Sequence, residues 1–143
     1  MNSDAAYASA AADSQKNLGL EFSRRARGIP VWAVLRALGR SGVAAMVERH
    51  CALARRLADG LRAAGFGVLN RVVLNQVLVR MDDDARTDGV REAAAASGET
   101  WFGPGLWEGR RAFRLSVSSW RTREEDVDRT IALLARLARE AGS

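Results

Sequence analysis

At 143 residues the chain is long enough for one domain that buries about two-thirds of the surface its unfolded form exposes. Its formal charge of +5 comes from 21 arginines and a single lysine, Lys16, set against 17 acids. The arginines run through every segment among those acids, without an aromatic-interleaved basic stripe, so the charge reads as solvated surface and no nucleic-acid partner is expected. One cysteine, Cys51, excludes an internal disulfide, and no apolar run reaches the roughly 18 residues of a membrane span. With no basic, secretory-type start, a cytoplasmic protein without membrane contact is expected.

Residues 1–20 are small and polar, and read as a loose leader or the remnant of a longer upstream region. Residues 21–42 read as a connecting helix entered through Ser23, with Pro30 suited to the first turn. Around that helix Val31, Trp32, Val34, Leu35 and Leu38 point in nearly all directions. A helix apolar all round needs burial on every side, which a domain this small does not supply, so a partner surface is expected. Residues 43–141 read as a small α+β domain.

Gly39 to Gly42 breaks the run. A second helix follows to about Ala64, with Val43, Met46, Val47, His50, Leu53, Ala54, Leu57 and Leu61 at spacings of three and four. His50 and Cys51 are adjacent and diverge by about 100° on a helix, so they do not converge on one metal or substrate. His50 is expected to pack. Val68 to Arg80 reads as one or two strands interrupted near Asn70, and Asn75 is expected to bond a neighbouring strand rather than line a pocket. The run Asp82-Asp83-Asp84 lacks the alternating ligands, central glycine and closing glutamate of a calcium loop, and reads as a helix entry. After a short helix over about Arg86 to Ser97, Glu99 to Phe102 reads as a strand and Gly103-Pro104-Gly105 as a tight turn without phosphate-loop character.

In the next segment Phe113, Leu115 and Val117 alternate with Arg114, Ser116 and Ser118, which gives a strand with one apolar face and one face carrying an arginine among hydroxyls. Thr122 and Glu125 have capping-box spacing, and the helix after them buries Val127, Ile131, Leu134 and Ala138 before ending at Gly142. The element order predicts an α+β fold. It is a small, mainly antiparallel sheet covered on one face by helices and preceded by a long interdomain helix.

Ser23 to Trp32, the helix pair after it, Val73 to Arg80, and Phe113 to Thr122 with the Asp126-Val127 helix together resemble, in order and spacing, the C-terminal portion of group II pyridoxal-phosphate-dependent amino-acid decarboxylases of fold type I, the aromatic-amino-acid and glutamate decarboxylases among them. The resemblance covers roughly Phe22 to Leu137. It implies a fragment of a homodimeric enzyme whose partner is a missing large domain or a separately encoded chain. In that family pyridoxal phosphate is held as an imine by a lysine after a histidine, with an aspartate on the pyridine nitrogen and a histidine stacked on the ring. All of these lie in the large domain. Lys16 stands in Ser14-Gln15-Lys16-Asn17 and does not match, so the chain alone is expected to be inactive. The resemblance places Arg114 on a strand arginine near the substrate, and Arg24 on an arginine close to the cleft; both are candidate substrate-binding residues. Each also has a reading as a structural ion-pair member. The competing functional reading is a stand-alone α+β binding or oligomerisation module that pairs through its apolar helix.

Overall fold

Apolar residues spaced three and four apart set out the helices, and carboxylates begin α2 (Asp84–Ala96) and α3 (Glu124–Glu140). The structure is a computed structural model and describes residues 25–141; Lys16, Arg24 and Gly142 lie outside the described residues. The first helix, α1 (Gly28–Ala63), is interrupted at Gly39, whose φ of 61° and ψ of −173° fall where glycine alone is at ease. The expected break across Gly39 to Gly42 therefore narrows to one residue, because Arg40, Ser41 and Gly42 are helical. Two units divide there, Met1–Gly39 and Arg40–Ser143.

In the first unit Pro30 sits in the opening turn, where a missing N–H costs no helical bond. Ile29, Val31, Trp32, Val34, Leu35 and Leu38 are all exposed, at 40% to 67%.

In the second unit α1 buries His50, Leu53, Ala54, Leu57, Ala58 and Leu61 along one stripe. Gly65, at φ 91°, turns the chain out of the helix, and the Phe66 N–H bonds back to the Leu61 carbonyl at 3.0 Å. Four strands follow: β1 (Gly67–Val68), β2 (Gln76–Arg80), β3 (Pro104–Trp107) and β4 (Arg110–Ser116), in the order β1-β2-β4-β3 with every pair antiparallel. Helices α2 (Asp84–Ala96) and α3 (Glu124–Glu140) complete the fold.

Alternation along β4 turns Phe113 and Leu115 inward, beside Val77 and Val79 of β2 and against Val90, Val127 and Leu134. Phe113 stacks on Phe102 at 4.6 Å between centroids and meets the edge of Phe66 at 6.3 Å. Arg114 and Ser116 take the opposite, open face, as expected from the sequence.

Two local expectations need correction. Glu99 to Phe102 is not a strand and Gly103 to Gly105 is not the turn: β3 begins at Pro104, and the turn is Glu108-Gly109, with φ of 50° and 77° as in a type I′ hairpin. Gly105 is needed for close packing, since a Cβ there would sit 3.3 Å from the Ala112 carbonyl oxygen. Helix α3 starts one residue later than the Thr122–Glu125 spacing implied: Arg123 is the N-cap, and Asp126 Oδ2 accepts from its N–H at 3.0 Å. In α2 the acidic run behaves as a helix entry. Asp83 Oδ1 accepts from the Arg86 N–H at 2.8 Å, Asp82 pairs with Arg86, and Asp84 pairs with Arg80.

Candidate functional site

Arg114 stands in the middle of β4, between two inward side chains and opposite Leu78 of β2. The strand backbone thus projects its guanidinium from the uncovered face of the sheet. Several arginines on the helical side meet acids: Arg56 with Asp128 and Glu124, Arg86 with Asp82, Arg111 with Asp88. Arg114 has no hydrogen bond or ion pair among the described residues. It borders a cavity of about 470 Å³ whose other walls include Asn70, Gln76, Leu78 and Trp107. A planar cation beside amides, an aliphatic chain and an indole can grip a carboxylate in a bidentate fork while an apolar body lies against the walls.

Asn70 belongs to this wall for a reason the sequence did not disclose. Strand β1 is only two residues long, and beyond it the Asn70 side chain serves β2 in place of a strand. Its Nδ2 donates to the Gln76 carbonyl at 3.1 Å and its Oδ1 accepts from the Leu78 N–H at 2.8 Å. Asn75, as expected, is structural: its carbonyl accepts from the Val117 N–H at 2.9 Å and its Nδ2 donates to the Val117 carbonyl at 3.0 Å.

The remaining candidates serve the fold. His50 is buried with Nε2 3.2 Å from the Ser119 carbonyl oxygen, and Arg49 donates to the Trp120 carbonyl at 2.8 Å, so α1 holds the loop after β4. Cys51 is half-buried and has no second thiol. No group of three His, Cys, Asp or Glu side chains is placed to hold a metal among the described residues. All four tryptophans, Trp32, Trp101, Trp107 and Trp120, are exposed, with the Arg121 guanidinium 5.1 Å from the Trp120 ring. Arg56 donates to both oxygens of Asp128, at 2.7 and 2.8 Å. This hydrogen bonding holds the carboxyl below its usual range and raises the guanidinium above its own. Of the two arginines proposed from the sequence, Arg114 is in the wall just described and Arg24 lies outside the described residues.

No family model matches the chain. Solved structures do. The chain superposes on Oryza sativa TDC with PLP and tryptamine at a TM-score of 0.78 and 21% identity, over 88% of this chain and 29% of that one. Catharanthus roseus tryptophan decarboxylase in complex with L-tryptophan gives 0.75 and 20%, over 87% and 29%. Mouse CSAD in apo form gives 0.72 and 17%, over 86% and 30%. The fold is therefore that of one portion of these larger proteins, and the chain spans under a third of their length. Among the described residues there is no helix long and apolar enough to cross a membrane.

Pyridoxal phosphate, which the Oryza structure carries, needs an amine to hold it as an imine. No lysine occurs among the described residues, and the one histidine is turned to a backbone carbonyl. The described residues do not fit that cofactor, and no chemical step through it is assigned to them.

Proposed function

We propose that the chain is the smaller, C-terminal portion of a group II pyridoxal-phosphate-dependent amino-acid decarboxylase, and that it works only with a cofactor-bearing portion in a homodimeric, cytoplasmic enzyme. The observation that carries this reading is the match of nearly the whole chain to less than a third of decarboxylase structures. The bare apolar helix supports it. Ile29 to Leu38 leaves six large hydrophobic side chains in solvent, a surface that suits burial against a further domain. In this reading Arg114, and Arg24 as a second candidate, bind the substrate carboxylate, while the cofactor's lysine, aspartate and histidine come from the other portion.

The test is spectroscopic. The purified chain mixed with pyridoxal phosphate is expected to give the same spectrum as its Lys16→Ala variant, with no decarboxylation of any amino acid. An imine band that disappears with Lys16, accompanied by turnover, overturns the reading. In the assembled enzyme, Arg114→Gln is expected to raise KM by roughly tenfold or more, the loss of one charge-assisted carboxylate contact.

A further inference from the structure

The break at Gly39 is permitted by the residue and compelled by nothing around it. At φ 61° and ψ −173° the backbone leaves the right-handed region for a single residue, while Leu38 and Arg40 on either side are helical. A break inside a helix ordinarily has a cause, such as a proline or a side chain inserted into the hydrogen-bond ladder. Here the proline of α1, Pro30, sits in the opening turn. Beyond the helix's own backbone and the adjacent residues, no described atom lies within 4 Å of the place a Gly39 Cβ would take.

Packing does not hold the bend either. No residue from Arg25 to Arg49 is buried, and His50 is the first residue of α1 to enter the core. From Pro30 to Glu48 no side chain makes a hydrogen bond or ion pair among the described residues. A continuous helix through the same position would complete the regular ladder at the modest helix penalty of one glycine. The two arrangements differ in the dihedral angles of one residue, and no tertiary contact around Gly39 favours the bent one.

We infer that Gly39 is a single-residue hinge with two settings, the bent one described above and a continuous α1, and that the lone chain populates both. The hinge carries the exposed apolar side chains from Ile29 to Leu38 in two directions. Engagement of those side chains in one setting draws the population to it, by no more than the difference in affinity between the two. The inference uses only the backbone of α1 and the absence of support around it, and stands whether or not the decarboxylase reading holds.

The test compares three full-length chains by NMR: the natural one, Gly39→Ala, and a semisynthetic chain with D-alanine at position 39, joined at the single cysteine, Cys51. Alanine favours the right-handed helix and is penalised at positive φ, so Gly39→Ala is expected to shift the population towards the continuous setting roughly thirtyfold. D-alanine has the opposite preference and fixes the bend. The readout is the cross-peak between the amide protons of residues 39 and 40, strong where ψ is helical and weak near ψ of −173°. Unchanged resonances around Phe113 check that the core is intact in all three. The natural chain is expected to give an intensity between those of the two variants. An intensity equal to that of the D-alanine chain means a fixed bend, and one equal to that of Gly39→Ala means a fixed continuous helix. Either overturns the proposal, as do equal intensities in the two variants, which would show that residue 39 does not set the geometry.

Discussion

Two helical stretches of this chain carry similar numbers of large apolar residues, six from Ile29 to Leu38 and five in α3, and meet opposite fates. In α3 the apolar residues fall on one stripe, and Val127, Leu133, Leu134 and Leu137 are 8% exposed or less. Acids fill its first turn and Arg139 its last, which suits the helix dipole. Between Ile29 and Leu38 the same kinds of side chain circle the axis, and none falls below 40% exposure. Confinement to one stripe marks the helix that buries its apolar residues in its own domain, and its absence marks the one that leaves them exposed.

The contrast breaks most visibly in the core. Phe113→Ala removes a ring stacked on Phe102 and edge-on to Phe66, and is expected to cost about 3–5 kcal/mol in urea unfolding of the isolated chain. Leu134→Ala in α3 is expected to cost about 2–5 kcal/mol, and Leu35→Ala in the bare stretch no more than about 0.5 kcal/mol. Equal losses from the two leucines would mean that the first helix is already supported within the chain. Gly60 sharpens the comparison at smaller scale. The α1 backbone approaches α3 so closely that a Cβ on Gly60 would overlap the Ile131 side chain. Gly60→Val is therefore expected to destabilise by about 1–3 kcal/mol despite the better helix former, while Ile131→Ala in the same background restores part of the loss.

The smallest effect is electrostatic. The Arg56 hydrogen bonds depress the Asp128 carboxyl, so its contribution is present above the unfolded-state value of about 3.9 and is lost as pH falls through the folded value. Asp128→Asn is expected to flatten only the acid limb of a stability–pH curve, and salt is expected to shrink the difference, because both partners are half-exposed. An unchanged acid limb would show the pair to be energetically silent.

Much of this is legible in the sequence alone. The alternation of Phe113, Leu115 and Val117 with Arg114 and Ser116 gave both faces of β4, and the spacing from Val127 to Ala138 gave α3. Residues 99–105 were misread because the glycines and proline there carry turn propensity, whereas in the fold Pro104 sits on an edge strand and Gly105 makes room for a carbonyl. The true turn puts Glu108 at positive φ, which no propensity favours for glutamate. The wall around Arg114 was half legible. Alternation names the face of a strand, but not which loop residue lies beside it, and Asn70 reaches that wall only because β1 ends after two residues. That β3 pairs with β4 no further than Phe113 was hidden for a related reason. Where a neighbouring strand stops depends on a register between segments, which a one-dimensional pattern does not contain.

The exposure of all four indoles has a practical consequence. Unfolding moves none of them out of an apolar interior, so intrinsic fluorescence should change little across a denaturation that circular dichroism records in full. Occlusion of Trp32, Trp101, Trp107 or Trp120 by a binding partner would instead shift the emission to the blue. The chain's natural chromophores thus report on company rather than on collapse.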